Sequence, residues 1–296
     1  MNRIFFKQYG EFLSKELSLE RPVKIVFDCS NGYVGEVLRE ALKNRKDVKA
    51  YYLNDSPNGD FPGHGPNPAL PGALRILSRE VLLRKADLGV AFDGDADRAI
   101  FIDNKGREID PDMVVKLYVK RKQPKKIVLD IRMGRTVADK AVKITRTRVG
   151  NYYVKKAMIE KDILFGAERS GHYFFKINKS YIDEAVMMAF TFINFVSKEQ
   201  KISDWIDNNQ TTFRLKEKSY PVKNEEAVLR ELRKAYTKRR PKISSLNGLT
   251  AEFKNFWFNA RPSSTGEGLI RVNMEADTKM ILQKEFRMLE SLIRNE

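Results

Sequence analysis

Three aspartates at every second position are the residues of this sequence best suited to chemistry. The segment "AFDGDADRAIFID" (91–103) places Asp93, Asp95 and Asp97 after an apolar run, with Arg98 directly behind them. Carboxylates this close repel one another, and burying them unpaired is costly. A hard divalent cation removes the repulsion by binding an oxygen of each. The pattern predicts a metal loop (residues 93–98), and the alternative is a polar turn with solvated carboxylates.

Two better-known aspartate motifs do not account for this segment. An EF-hand loop starting at Asp93 would need glycine at its sixth position and glutamate at its twelfth, where the chain has Arg98 and Asn104. An EF-hand loop would also follow a helix, whereas an apolar strand is predicted here. The phosphatase motif D-x-D-x-T would need threonine at the position of Asp97.

A second polar segment, "GAERSGHYFF" (166–175), alternates Glu168, Ser170 and His172 between glycines. Glycine lets a ligand approach the backbone closely. An acceptor, a hydroxyl and an imidazole on one face suit sugar hydroxyls, so we name residues 168–172 the sugar loop. A tight hairpin with exposed polar residues is the alternative.

A third segment, "RPSSTGEGLIRV" (261–272), combines guanidinium groups, hydroxyls and backbone amides, which are the groups that bind phosphate. It lacks the Walker pattern G-x-x-x-x-G-K-[ST], and an ordinary serine-rich turn is the alternative. We name residues 261–271 the phosphate loop. Its candidate ligands are Arg261, Ser263, Ser264, Thr265 and Arg271.

Alternating strands and helices must position these loops. The run from "VKIVFDC" (23–29) to "ADLGVAF" (86–92) reads as β-α-β-α-β, and a similar pattern runs from "KKIVLDI" (125–131) to "GHYFFKI" (171–177). Such units place ligands at the carboxyl ends of parallel strands, where the metal loop lies. The alternation of strands and helices ends after residues 207–210. Beyond them we predict a strand at 211–221, a helix at 225–237, strands at 249–253, 255–260 and 269–275, and a helix at 277–293.

The predicted fold class is therefore α/β, with two similar mixed or parallel α/β domains followed by a smaller C-terminal α+β domain. The predicted boundaries are 23–120, 121–208 and 209–296, preceded by an amphipathic helix within 1–22. Phe6, Tyr9, Leu13 and Leu17 define one face of that helix.

The amino-acid composition limits the classes of ligand and partner that the protein is expected to bind. The 296 residues carry 55 Lys and Arg against 39 Asp and Glu, a net charge of +16 that favours anionic ligands. The basic residues are dispersed and come with no zinc-finger spacing or aromatic RNA-binding signature, so nucleic acid is not the expected partner. One cysteine, Cys29, excludes an internal disulfide and fits a reducing compartment. No apolar run reaches membrane-spanning length and no signal peptide is recognised, so we predict a cytoplasmic protein without a membrane partner.

Together and in this order, the three loops resemble those of the α-D-phosphohexomutases, which are the phosphomannomutase, phosphoglucomutase and phosphoglucosamine mutase enzymes. The family's loops look like "DGDADR", "GEQSGH" and "RPSNTEPLLRV". The segments "VFDCSNGYVG" (26–35), "FPGHGPNP" (61–68) and "TRVGNYYVKKAM" (147–158) also look like family segments. The resemblance runs from about residue 20 to the end, and it implies that 1–22 is the connector helix between the family's first two domains.

The resemblance implies roles for these residues. Mg²⁺ would be held by the three aspartates of the metal loop, and Arg98 would be the catalytic arginine beside the phosphoryl group in transfer. Glu168 and Ser170 would bind sugar hydroxyls with His172 nearby, and the phosphate-loop residues would hold the phosphate that is not transferred. Arg132 would replace a substrate-binding lysine. The implied substrate is a hexose phosphate, and hexose 1,6-bisphosphate is a candidate activator.

Four departures from the family bear on activity. The family has four domains, and this chain resembles the second, third and fourth. The first carries the phosphoserine, in a stretch like T-A-S-H-N-P, and a proton-transferring lysine, and no Ser-His pair occurs here. The phosphate loop is one residue longer than the family's, and Arg132 and Asn151 stand where some members have lysine and histidine.

We therefore expect an isomerase, an intramolecular phosphotransferase, only if a separate first-domain polypeptide completes it. The alternatives are a non-catalytic sugar-phosphate-binding protein and, on charge alone, a basic nucleic-acid-binding module.

Overall fold

The computed structural model describes residues 4–137, 141–263 and 266–294. Its first sheet has the order β2-β1-β3-β4-β5; β2, β1 and β3 run parallel, and β4 and β5 return antiparallel. The helices of this part pack on that sheet or beside it. The elements are α1 (Ile4–Glu16), β1 (Val23–Asp28), α2 (Val34–Leu42), β2 (Val48–Leu53), α3 (Arg75–Arg84), β3 (Leu88–Phe92), β4 (Ala99–Asp103) and β5 (Glu108–Ile109).

The second sheet repeats this topology with the order β10-β9-β8-β6-β7, in which β6 runs parallel to β7 and β8 and the others are antiparallel. The prediction of two similar α/β units is confirmed. The elements are α4 (Pro111–Lys122), β6 (Lys126–Asp130), β7 (Lys143–Thr147), α5 (Asn151–Lys161), β8 (Phe165–Ala167), β9 (Tyr173–Ile177), β10 (Ser180–Asp183), α6 (Ala185–Ser197) and α7 (Ile202–Asn209).

The third sheet is antiparallel, with the order β11-β16-β15-β14-β13 and β12 also paired with β16. Two helices accompany it, which makes this unit α+β as predicted. The elements are β11 (Phe213–Arg214), β12 (Lys218–Pro221), α8 (Glu225–Thr237), β13 (Lys242–Ser244), β14 (Leu249–Glu252), β15 (Phe256–Pro262), β16 (Leu269–Ala276) and α9 (Lys279–Arg294).

Helix α6 joins the first two sheets into one hydrophobic core. It is apolar around its whole circumference, as expected of a helix buried on all sides. The Phe192 ring lies 4.6 Å from Phe101 of β4, centroid to centroid. Tyr118 of α4 stacks on Phe165 of β8 at 3.8 Å. The third sheet has a separate core with α8 and α9, so the C-terminal unit meets the others mainly through polar contacts.

Several sequence predictions need correction. Helix α4 was not predicted, although Asp110 caps it and Pro111 occupies its first turn. The sequence "RTVADKAV" (135–142) predicts a short helix, but the structure has a 3₁₀ turn at Arg135–Val137, and residues 138–140 lie outside the described residues. The predicted strand 211–221 is broken into β11 and β12. The domain boundaries stay predictions, and α4 runs across the one at 120.

The break in that strand is a bulge. Arg214 pairs with Glu275 and Lys218 pairs with Val272, so the three residues 215–217 lie opposite only the two residues 273–274 of β16. One extra residue therefore lies between β11 and β12. A bulge of this kind bends the strand and re-aims side chains.

Among the helices that the structure describes, none combines the length and apolar character needed to cross a membrane.

Candidate functional site

The metal loop connects the antiparallel strands β3 and β4. Asp93 follows a fully buried strand and is itself only 1% exposed. It is held by Arg98, whose backbone N–H donates to Oδ1 at 3.0 Å and whose Nε donates to Oδ2 at 2.5 Å. Burial raises the pKa of Asp93 to about 6, against the favourable contacts with Arg98. This carboxylate therefore gains from any further positive charge placed beside it.

The three aspartates can hold a metal ion. One carboxylate oxygen from each lies within 4.8 Å of the other two. Mg²⁺ takes carboxylate oxygens as ligands at about 2.1 Å, so these three oxygens would have to draw closer together to hold one ion. Asp97 Oδ1 is buried, and its charged neighbours are the His172 ring at 3.3 Å and Arg98 Nε at 3.6 Å. Three carboxylate oxygens grouped in this way fit a hard cation.

The sugar loop is joined to the metal loop through the backbone. Ala99 donates its N–H to the carbonyl of Gly171 at 3.0 Å, and Arg98 and His172 form an isolated antiparallel bridge. Gly171 has φ +91°, and a side chain there would bring Cβ to 2.9 Å from the Ala99 carbonyl oxygen. The glycine of "RSGH" is therefore required by this close approach of two backbones.

His172 lies between carboxylates of both loops. Its Nε2 is 3.3 Å from Asp97 Oδ1, its Nδ1 is 3.1 Å from Glu168 Oε2, and Ser170 Oγ is 2.8 Å from the same Nδ1. Burial opposes protonation of the ring, but Asp97 and Glu168 outweigh it and raise the pKa of His172 to about 9. An imidazolium therefore bridges the two loops at neutral pH, and it lowers the pKa of Asp97 to about 2.

Two further predicted site residues, Glu168 and Arg132, are buried next to each other near this histidine. Glu168 is 2% exposed, and its Oε1 accepts from the Gly150 N–H at 2.6 Å. Arg132 donates to Asp130 Oδ2 at 2.6 Å and lies 3.9 Å from Glu168. Asp130 ends β6 as Asp28 ends β1 in the first unit. The buried carboxylate at this strand end fixes the direction of the Arg132 guanidinium.

The phosphate loop brings its two arginines together across a pair of strands. Arg261 of β15 is the register partner of Arg271 of β16. Arg271 Nε donates to Ser263 Oγ at 3.1 Å, and both arginines reach the carboxylate of Glu217, Arg261 at 2.6 Å and Arg271 at 3.4 Å. The predicted ligands Ser264 and Thr265 lie outside the described residues.

Residues from all three loops line one cleft of about 590 Å³. Arg98 comes from the metal loop, Ser170 from the sugar loop and Arg271 from the phosphate loop. The charged wall consists of six cationic and two anionic side chains: Arg75, Arg98, Arg132, Arg169, Lys216, Arg271, Glu108 and Glu217. Such an excess of positive charge on a concave surface concentrates anions.

Other predicted residues lie around this cleft. Arg261 and Ser263 line an adjacent cavity of about 550 Å³. Asp95 lines a third cavity, of about 380 Å³, on another side of the metal loop. The structure thus brings the three loops to one cleft, although the three aspartates and Arg261 do not themselves line it.

A buried ion network fixes the C-terminal unit against the other two. Arg214 of β11 donates to Asp112 and lies 3.4 Å from Glu275 of β16. Arg169 of the sugar loop makes two 2.6 Å hydrogen bonds to Asp110 and lies 3.3 Å from Asp112. Charges this buried are costly unless paired on every side. The network therefore ties the sugar loop, α4 and the third sheet into one arrangement.

The sequence reasoning missed several of these residues. Arg169 stands between two predicted sugar-loop residues, and its partners Asp110 and Asp112 are far away in the sequence. Lys216 and Glu217 fall at the bulge, for which the sequence gives no clear sign. Arg75 opens α3 after a Pro- and Gly-rich segment, and its contribution depends on where that helix begins.

Comparisons with known proteins agree with this arrangement. Two family models match: phosphoglucomutase/phosphomannomutase alpha/beta/alpha domain II over residues 4–106 and domain III over residues 115–213. A phosphomannomutase of Methanocaldococcus jannaschii is 29% identical, over 97% of this chain and 65% of that protein.

Solved structures share the fold. A phosphoglucomutase/phosphomannomutase family protein of Burkholderia thailandensis superposes with a TM-score of 0.84 at 24% identity, over 98% of this chain and 64% of that one. Aspergillus fumigatus N-acetylphosphoglucosamine mutase in complex with GlcNAc-6P and magnesium gives 0.61 at 16% identity, over 98% and 65%. The chain thus spans a little under two thirds of the length of these proteins.

Proposed function

Because the chain belongs to the phosphoglucomutase/phosphomannomutase family, the α-D-phosphohexomutases, we propose that it supplies the metal, sugar and phosphate sites of such an enzyme. The observation that carries the proposal is the single cleft in which Arg98, Ser170 and Arg271 meet. The mutase complex with GlcNAc-6P and magnesium, a protein of the same fold, supports a hexose phosphate and Mg²⁺ as ligands.

In this proposal the cleft binds a hexose phosphate at two places, its phosphate group and its ring hydroxyls. Arg271 and Lys216 draw the phosphate that is not transferred, and Ser170 binds ring hydroxyls. Glu168 supports the sugar loop from beneath, through His172 and the Gly150 N–H. Arg98 lines the cleft at the other loop and, being held by Asp93, presents its guanidinium in one orientation. Catalysis of phosphoryl transfer is mostly positioning and charge neutralisation.

The metal loop would hold Mg²⁺ at Asp93, Asp95 and Asp97. The ion, when bound, supplies positive charge that neutralises the phosphoryl group. The chain's own part is to keep the three carboxylates together, which Arg98 and the protonated His172 do by balancing their charge. We also propose hexose 1,6-bisphosphate as an activator. The proposed location of the protein is the cytoplasm.

A phosphoryl donor is the missing component. The family's phosphoserine stretch is not found in these 296 residues, and the chain covers 65% of the M. jannaschii relative. The comparisons do not support the expectation that the donor lies on a separate polypeptide. We propose only that it lies outside these residues.

The test is an assay of hexose 1-phosphate to 6-phosphate conversion. The purified chain alone, with Mg²⁺ and hexose 1,6-bisphosphate, should be inactive. Fusion to, or mixing with, a phosphoserine-bearing first domain of a related mutase should produce turnover. Asp95→Asn should abolish that turnover, and Asp277→Asn, which removes an exposed charge elsewhere, should not. Turnover by the chain alone would refute the proposed division of labour. Ligand binding without turnover in every combination would favour the non-catalytic alternative.

A further inference from the structure

A carboxylate already occupies the phosphate loop. Glu217 Oε2 accepts from Arg261 at 2.6 Å and from Asn273 Nδ2 at 2.7 Å, and Glu217 Oε1 lies 3.4 Å from Arg271. These three donors, which we name the cradle, converge on one anion. Guanidinium and amide donors around a single oxyanion form the arrangement that phosphate also requires.

The bulge between β11 and β12 puts Glu217 there. It is the last residue before β12, at the point where one extra residue separates the two short strands. Lys216, its neighbour, lines the same cleft. The carboxylate is therefore carried by a short irregular segment at the edge of the cradle, and the donors are carried by the regular strands β15 and β16.

Glu217 is ionised in this setting. Burial raises the pKa of its carboxyl, but Arg261 and the other donors more than offset that effect and hold the pKa below its ordinary value. Its side chain is 26% exposed, whereas that of Arg261 is 4% exposed. The carboxylate thus neutralises a buried guanidinium and still reaches the cleft. A phosphate that approaches Arg271 meets this negative charge.

We propose that Glu217 is an internal counter-ion of the cradle and that a phosphate binds by exchange with its carboxylate. This rests on the proposed function, because it concerns the same phosphate site. The carboxylate keeps Arg261 paired while no ligand is bound, so the cradle stays aligned. A ligand must displace one negative charge to enter. The cradle therefore selects dianionic phosphates over singly charged sugar acids, which gain no more than they displace.

The test is calorimetric titration of the whole chain with inorganic phosphate and with glucose 6-phosphate. Glu217→Gln keeps the side-chain shape and a carbonyl acceptor for Arg261 and Asn273 but removes the charge. It should bind both probes about threefold or more tightly than wild type, because the repulsion is gone. Glu231→Gln removes an equal charge from the exposed side of α8 and should bind as wild type does. The difference in affinity between glucose 6-phosphate and gluconate should be smaller for Glu217→Gln than for wild type.

A thermal measurement gives a second readout. Without ligand, Glu217→Gln should melt below wild type, because Arg261 loses its counter-charge, and saturating phosphate should raise its Tm more than that of wild type. Glu217→Asp keeps the charge on a shorter side chain. Its phosphate affinity should lie above that of wild type and below that expected of Glu217→Gln, and it can be measured even if the Gln variant folds poorly. Equal or weaker phosphate binding by both variants, with normal binding by wild type, would overturn the counter-ion role alone. No phosphate binding by wild type would overturn the proposed function as well.

Discussion

His172 Nε2 lies 3.3 Å from Asp97 Oδ1, so the sugar loop and the metal loop meet in one ion pair. The contact crosses from the second sheet to the first and links an imidazolium to a candidate metal ligand. A change of charge at the metal loop should therefore act on His172, and through His172 on the side chains of the sugar loop that contact it.

The first prediction concerns metal binding. Asp95→Asn should weaken Mn²⁺ binding roughly tenfold or more, because it removes one of three carboxylate ligands and the remaining two hold a divalent ion poorly. Asp95 is exposed, so the variant should fold normally. Water-proton relaxation with Mn²⁺ measures the affinity, and Asp277→Asn is the control. Equal Mn²⁺ affinity in wild type and Asp95→Asn would remove the metal assignment.

The second prediction concerns pH. The folded-state pKa of His172, about 9, lies above the ordinary value of 6.5, so its ion pairs stabilise the fold fully below about pH 6.5 and lose that effect as pH rises through 9. Each pKa unit corresponds to about 1.4 kcal/mol, so a rise from 6.5 to about 9 sets an upper bound of roughly 3 to 4 kcal/mol on the contribution.

His172→Gln should therefore lower the free energy of unfolding more at pH 6.5 than at pH 9.5. Urea denaturation at both values measures this difference. The chain's other histidine provides a comparison, since Asp28 raises the pKa of His64 too and should make His64→Gln depend on pH in the same direction. A pH-independent effect of His172→Gln would show that the ring acts only by packing.

The third prediction concerns the ion network. Arg214→Ala should destabilise the chain by about 3–5 kcal/mol, because it leaves Asp112 and Glu275 buried beside each other without their shared cation. Arg230→Ala, on an exposed face of α8, should cost about 0–1 kcal/mol. Chemical denaturation gives both values. A loss below about 1 kcal/mol for Arg214→Ala would mean that the network does not hold the C-terminal unit in place.

The sequence predicted the parts of this fold that depend on local pattern. The three aspartates stand at the end of a buried strand, and the glycine of "RSGH" lies where two backbones approach. Apolar periodicity gave the order β1-α2-β2-α3-β3 in the first α/β unit and β6, β7, α5, β8, β9 and α6 in the second. It did not give β4, β5, β10 or α7. The resemblance then supplied what the pattern could not, which was a common purpose for three loops far apart in the chain.

What the sequence did not predict depends on pairing between distant segments. Glu217 reaches Arg261 only because β11 and β12 pair with β16 around a bulge, and single-sequence patterns do not specify a bulge. Arg169 and Arg214 have buried partners that lie 57 to 102 positions away. Helix α4 is different, because its cap at Asp110 and the proline at 111 are local start signals, which apolar periodicity alone does not include.

The central claim is that this cleft binds a hexose by its phosphate. Calorimetry should detect glucose 6-phosphate or mannose 6-phosphate binding to wild type and little binding of the unphosphorylated sugars. Losing a charge-assisted contact costs about 1.5–3 kcal/mol, so Arg271→Ala should weaken binding roughly tenfold or more. Arg79→Ala, an exposed arginine of α3, should leave it unchanged. Hexose-phosphate affinity that is unaffected by Arg271→Ala, or equal affinity for the sugar without its phosphate, would contradict the account.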